Sequence, residues 1–401
     1  MSLSKNFLFH YLLRFNEIPF TLNFVKEGHK LQIGDGTPQF EVFIYDKIDK
    51  AALLKSTSLA LGEAYMDKVI DIHGDLYQCL DSILSQMSKF TTNRISLYSL
   101  LHTSSTKDNQ KKEVQSHYDI SNKFYELWLD QTMSYSCAYF HNESDDLCTA
   151  QRQKVHHILK KLNLKEGMNL LDIGCGWGYL LIEAAKKYKV HGVGITLSKE
   201  QYKKTKEHIA KEQLEDYLEV KLMDYRDLEH SKLIFDRVVS VGMLEHVGRN
   251  HYELFMHNVN SVLKPQGVFL LHYISALREH SGDPFIKKYI FPGGVIPSLR
   301  EILQICGDMN FYTIDVESLR RHYTKTLLCW NDNFNQHKEE ILEMFDERFV
   351  RMWELYLCSC AAAFHNGVID LHQILLTKGC NNKLPMTRDY LYMDKDCTKN
   401  L

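Results

Sequence analysis

Ten cysteines are spread through this chain without one C-x-x-C pair, and the two nearest in sequence, Cys358 and Cys360, enclose a single residue. That absence excludes a zinc ribbon or a thioredoxin-like redox pair and argues for reduced thiols in a cytosolic setting. Long hydrophobic runs are missing too: no stretch approaches the ~18 uninterrupted apolar residues of a spanning helix. The N-terminal run "MSLSKNFLFHYLLRF" is interrupted by His10 and Arg14 and is followed by no small-residue cleavage site, so it reads as an amphipathic helix and not as a signal. Nor is there a surplus of one charge. A formal net charge of -3 excludes a bulk electrostatic grip on nucleic acid or anionic lipid and leaves such contact to a local patch.

What is present is ample chain for a core. The 401 residues, 44% hydrophobic and 25% charged, have a globular composition and a length that suits two domains, or one with a large attachment. The polar, lysine-rich run "HTSSTKDNQKKEVQ" (102–115) reads as a linker. Before it, the β-like "QFEVFIYD" (39–46) and the helical "LYQCLDSILSQM" (76–87) predict a small α+β domain over 1–101. After it, the apolar runs "MNLLDIG", "KVHGVGITL", "LEVKLMD", "DRVVSVG" and "GVFLLHYIS" alternate with helical stretches, which predicts a parallel sheet covered on both faces across 116–380. The late run "GVIDLHQILLTK" (367–378) completes that sheet, and 381–401 reads as a partly ordered tail whose "TRDYLY" suggests no chemistry.

One short stretch points to a ligand. "LDIGCGWG" (171–178) follows a strand, opens a helix, and places Gly174, Gly176 and Gly178 at alternate positions behind Asp172. In an open α/β sheet such a turn lies where ligands bind, beyond the carboxyl ends of the strands. The spacing is not the G-x-G-x-x-G of a dinucleotide site, the second strand ends "GVGITLS" without an acid, and no lysine follows the glycines as a phosphate cradle requires. The loop instead resembles motif I of the S-adenosylmethionine-dependent methyltransferases.

Further runs narrow the resemblance. "QSHYDISNKFYELWLDQTMSYSCAYF" (115–140), "GITLSKEQ" (194–201), "DYRDL" (224–228), "FDRVVSVGMLEHVG" (235–248), "LLHYIS" (270–275) and "KKYIFPGGVIPSLREI" (287–302) together resemble the cyclopropane-fatty-acid synthases, with "LGEAYMD" (61–67) as a weaker extension. The resemblance implies a doubly wound, seven-stranded class I methyltransferase sheet of Rossmann-like topology, with a smaller N-terminal α+β domain that serves lipid docking or dimerisation. It implies transfer of a methylene group from S-adenosylmethionine to a cis double bond of an unsaturated phospholipid acyl chain, with bound bicarbonate taking the proton. It also implies a cytoplasmic protein in transient contact with the inner membrane face, with no nucleic acid partner and with a homodimer allowed. Two rivals stay open: a relative that methylates an amine, or an alkene without ring closure, and a lipid-binding relative without activity.

Carried over residue by residue, the resemblance assigns the bicarbonate pocket to Cys137, Glu245, His272, Ile274 and Tyr323. The chemistry is coherent, since histidine and tyrosine offer donors to an anion while Glu245 accepts a protonated oxygen or orients the imidazole. Cofactor contacts fall to Asp172, Gly174, Gly176 and Gly178, to Thr196 and Gln201 on the ribose side, and to Tyr225 and Arg226 near the adenine; no metal is implied. A plain helix N-cap, with Ser198 three residues before Gln201 as a capping box, accounts for "TLSKEQ" equally well. Tyr118, Phe124, Tyr135, Tyr139, Phe140, Tyr273, Tyr289, Phe291 and Tyr323 are candidates to face a cationic intermediate, with core packing as the competing role. Two surfaces could reach lipid: the first helix, with Phe7, Leu8, Tyr11 and Leu12 between Lys5 and Arg14, and the loop "KKYIFPGGVIP", whose Lys287 and Lys288 would meet phosphates while Ile290 and Phe291 enter the interface.

Overall fold

Phe20, Leu22 and Phe24 recur at every second position, the period of a strand with one buried face. In the computed structural model, which describes residues 17–86 and 121–392, they lie on β1 (Phe20–Phe24). This strand belongs to a four-stranded sheet ordered β2 (His29–Ile33), β1, β3 (Glu41–Ile44), β4 (Ile70–His73). β1 runs parallel to β3, and the other pairs are antiparallel. Phe20, Leu22, Ile33, Phe40, Ile44 and Cys79 form its core, so the first unit is the expected α+β type.

That unit does not end where the sequence pattern changes. Residues 281–292 and 323–369 group with the N-terminal ones, whereas sequence continuity placed both stretches in one domain over 116–380. The cause lies in the run "LGEAYMD". A Cβ on Gly62, in the helix Thr57–Met66, would come within 2.6 Å of the Phe285 ring. Glu63 accepts hydrogen bonds from Lys288 at 2.5 Å and from the Tyr289 hydroxyl at 2.7 Å. Arg351, from the helix Glu347–His365, stacks 3.9 Å over the Tyr65 ring and donates to the Tyr65 carbonyl at 2.7 Å. These contacts join residues distant in sequence, which no local periodicity records.

The second unit carries the expected seven-stranded sheet. Its order is β10 (Phe311–Ser318), β11 (Asp370–Lys378), β9 (Leu263–Ser275), β8 (Phe235–Val241), β5 (Asn169–Ile173), β6 (His191–Thr196), β7 (Leu218–Leu222). The five strands β5 to β9 pair in parallel, whereas β11 is antiparallel to both β9 and β10, so the sheet is mixed at one edge. Leucine, valine and isoleucine dominate the inner strands because both faces are covered; Leu170, Leu171, Val238, Val239, Leu270 and Leu271 are fully buried. β5 has β6 on one side and β8 on the other, so the strand order reverses there and a crevice opens beyond its carboxyl end. Leu391 of the tail is buried beside the helix Leu147–Lys161, whose Lys160 donates to its carbonyl at 3.3 Å. Among the described residues, no helix is long and apolar enough to cross a membrane.

Candidate active site

The glycine turn leaves β5 and enters the helix Tyr179–Tyr188. Gly174, Gly176 and Gly178 hold φ of +82°, +54° and +85°, in the left-handed region that side chains other than glycine rarely adopt. Their directions differ. A Cβ on Gly176 would meet nothing within 4 Å, and Gly176 lines the pocket at the end of β5 together with Asp172 and Gly174. Gly178 is not among the residues lining that pocket, and a Cβ there would lie 2.5 Å from Thr205, so its bare backbone lets the turn pack closely on the helix Lys199–Lys211. The two residues between the glycines lock the turn in place. Trp177 donates to Asn122 at 3.0 Å, and the Cys175 sulfur fills the space left by Gly194, where a Cβ would come within 2.8 Å of it.

Thr196 and Gln201 line the same pocket at the end of β6. The Thr196 hydroxyl donates to Gln201 Oε1 at 2.8 Å, which leaves the Gln201 amide nitrogen as that side chain's donor. Ser198 does cap the helix through Gln201 N at 3.2 Å, but the Gln201 side chain turns to Thr196, so the reciprocal half of the capping box is not made. Beyond β7, Arg226 is clamped by both carboxylate oxygens of Asp224, at 2.9 and 2.7 Å. Tyr225 beside it packs edge-on against Phe255, and its buried hydroxyl has no hydrogen-bond partner among the described residues. Burial raises the Asp172 carboxyl to about 7, against the pull of Lys154.

A second cluster lies at the carboxyl ends of β8 and β9. Past Val241 and its partner His272, the Glu245 side chain takes over as acceptor for the edge of β9: its Oε1 receives the Ile274 N–H at 2.6 Å. Its Oε2 is buried without a partner among the described residues, and burial raises the carboxyl to about 7 although the Ile274 bond opposes this. His272 is 1% exposed and held neutral, its pKa pushed down to about 3 by burial and by Lys154 and Lys161. Gln373 of β11 donates to its Nδ1 at 3.1 Å, an arrangement that puts the proton on Nε2, which is also buried and unpartnered among the described residues. Cys137 is fully buried, its thiol directed to the carbonyls of Ala138 and Leu319. Tyr323 belongs to the other unit, where it packs on Phe364 with ring centroids 4.5 Å apart. The hydrogen bonds thus join Glu245 to Ile274 and Gln373 to His272, two positions apart on β9.

Gln373 therefore makes a direct prediction. Gln373→Leu leaves a buried imidazole nitrogen without its donor, a loss of about 1–3 kcal/mol. Thermal melts should show that loss, and nitrogen chemical shifts should show His272 moving from one neutral tautomer to a mixture of two. Unchanged shifts and stability would mean that Gln373 does not hold the imidazole.

The aromatic candidates separate by location. Tyr135 lines the pocket at the end of β5. Phe124 is core, Tyr139 is sandwiched between His157 and His322, and Tyr289 and Phe291 belong to the first unit, while Tyr118 lies outside the described residues. The proposed lipid loop is corrected in part: Ile290 is 1% exposed and cannot enter an interface, and Lys288 is paired with Glu63. Phe7, Leu8, Tyr11 and Leu12 lie outside the described residues. Sequence reasoning passed over Ser136, Lys154 and Asp224, of which Ser136 and Lys154 line the pocket, whereas His246, at the same strand end as Glu245, lines it as well. A signal existed for Lys154, because it stands among Ala150, Val155 and Ile158 on the buried stripe of its helix, where a charged residue requires a reason.

With the geometry in place, comparison with known proteins identifies its relatives. The model of the mycolic acid cyclopropane synthetase family matches residues 105–374, and a domain of unknown function matches 7–94. The cyclopropane-fatty-acyl-phospholipid synthase of Escherichia coli K12 is 39% identical over 355 residues, covering 84% of this chain and 87% of its own. A probable fatty acid methyltransferase of Pseudomonas putida is 36% identical over 376 residues, covering 91% and 94%. Among solved structures, a mycolic acid cyclopropane synthase complexed with S-adenosylhomocysteine aligns at TM-score 0.63 and 36% identity, over 67% of this chain and 98% of that one.

Proposed function

The chain belongs to the mycolic acid cyclopropane synthetase family and is an S-adenosylmethionine-dependent methyltransferase, and from that premise we propose that it closes a cyclopropane ring across a cis double bond of an unsaturated phospholipid acyl chain, with bicarbonate as proton acceptor. One observation carries the reading: two buried groups of opposite hydrogen-bonding character, Glu245 Oε2 and His272 Nε2, have no partner among the described residues at the carboxyl ends of β8 and β9. Buried polar atoms are seldom left unpaired, so such a pair suits a ligand that both donates and accepts, as a hydrogen carbonate ion does.

The pocket at β5 fits the cofactor. Gly176 leaves room for close approach, Thr196 and Gln201 would hold the ribose hydroxyls, Tyr225 and Arg226 the adenine, and Asp172 and Gly174 the methionine part. When bound, S-adenosylmethionine supplies an electrophilic methyl group. An alkene is a weak nucleophile, so the chain's contribution is orientation and dryness, together worth up to ~7–11 kcal/mol in well-aligned cases. As the ring closes, the electron pair of a C–H bond becomes the new C–C bond and the proton departs to a base. Glu245 can hold or release a proton near neutral pH, and neutral His272 can donate from Nε2 without competing for that proton. Cys137, buried in the same unit, belongs to the proposed anion pocket. The reading includes transient contact with a phospholipid surface at the cytoplasmic face and allows a homodimer.

The test is the product. Incubated with vesicles of mono-unsaturated phospholipid and labelled cofactor, the protein should add one methylene to the lipid mass. A product heavier by one methylene and two further hydrogens, formed when a hydride donor is supplied, would favour alkene methylation without closure. Label appearing in an added amine with the lipid unchanged would overturn both.

A further inference from the structure

Between Leu129 and Asp146 the second unit has no helix or strand, yet this segment supplies Thr132, Met133, Ser134, Tyr135 and Ser136 to one wall of the cofactor pocket. A wall without ladder hydrogen bonds must be held by other groups. Within the segment, the Thr132 backbone N–H donates to Asp130 at 2.9 Å, and Tyr135 packs on Tyr125 and Trp128 with centroids 5.6 and 5.2 Å apart. Further ties come from one turn of the helix Leu147–Lys161. Gln151, fully buried, donates through its amide to the carbonyls of Ser134 at 3.2 Å and Ser136 at 2.9 Å. Lys154, 4% exposed, donates to Ser136 Oγ at 3.0 Å. The Ala150 carbonyl receives the Tyr139 N–H at 3.1 Å.

We propose that Gln151 and Lys154 are positioning residues that latch residues 132–136 against the cofactor. Two long polar side chains are buried three residues apart on one helix, and both donate hydrogen bonds to this segment. An apolar pair of similar length would pack the helix as well without the desolvation cost, so their chemistry serves the wall. Lys154 and Asp172 line the same pocket; burial brings the amine down to about 8, opposed first by Asp130, and the carboxyl up to about 7, opposed by Lys154.

The inference rests on this pocket being the cofactor pocket, and the test separates the two. Wild-type protein and the variants Lys154→Met and Gln151→Met are titrated with S-adenosylhomocysteine by calorimetry, and amide exchange of residues 132–138 is followed with and without it. Wild type should bind and gain protection across the segment. Each variant should bind about 10- to 100-fold more weakly, as loss of buried hydrogen bonds predicts, and should gain little protection there while its melting temperature stays near or above that of wild type. Ser136→Ala removes the same bond from the other side and should weaken binding in the same direction, which covers the case of a variant that fails to fold. Wild-type affinity and protection in folded variants would overturn the latch. Failure of wild type itself to bind would instead overturn the assignment of the pocket.

Discussion

Glu245→Gln should lower turnover on unsaturated phospholipid by about 10²–10⁴-fold, the loss expected when a group that serves proton transfer is removed, and leave the affinity for S-adenosylhomocysteine unchanged. The substitution keeps the acceptor for the Ile274 N–H, which is bonded to Oε1, and replaces only the unpartnered oxygen. The pH dependence follows from the raised carboxyl. At saturating cofactor, wild-type turnover should rise with pH through about 7 as the carboxylate forms, and the variant should show no such rise. Stability should move the other way. A carboxyl with a folded-state pKa above its unfolded value of 4.5 releases its proton more readily when unfolded, so it costs stability increasingly from pH 4.5 to about 7 and fully above that. The variant should therefore melt higher than wild type at pH 8. An inactive variant that melts lower would mean structural damage, and near-full activity would remove Glu245 from the chemistry.

Gly176→Val should abolish detectable binding of S-adenosylhomocysteine while the protein stays folded. The new side chain points into the pocket space where Gly176 now has nothing within 4 Å, so the sheet and helix need not move. The backbone does carry strain, because φ is +54° and a left-handed residue with a side chain costs ~1–2 kcal/mol. A control isolates that cost. Gly167, in the turn before β5, holds φ of +76° with nothing within 4 Å of its missing Cβ, but it does not line the pocket. Gly167→Val should lose a similar increment in melting temperature and bind normally by calorimetry. Equal affinity in the two variants would show that the ligand does not approach the turn at Gly176.

The sequence alone determined the fold class, because glycine spacing, apolar strands covered on both faces and intervening helices are local signals that survive without knowledge of contacts. It also pointed to the glycine turn and to Glu245, His272 and Ile274 as candidates, because they fall at strand ends, where this architecture turns side chains toward ligands. The seventh strand, Phe311–Ser318, was not legible: its alternating polar residues belong to a sheet edge, where one face is wet and the apolar signal halves. Only the tertiary structure decided that Gly178 packs closely against Thr205, that Ile290 is core, and that residues 281–292 and 323–369 assemble with the N-terminal unit. The latch residues Gln151 and Lys154 and the histidine's partner Gln373 fall in the same class. Each is defined by a hydrogen bond across at least 15 positions of sequence. A polar side chain in an apolar pattern announces that it needs a partner; which partner it finds is settled by the packing that brings distant segments within about 3 Å of each other.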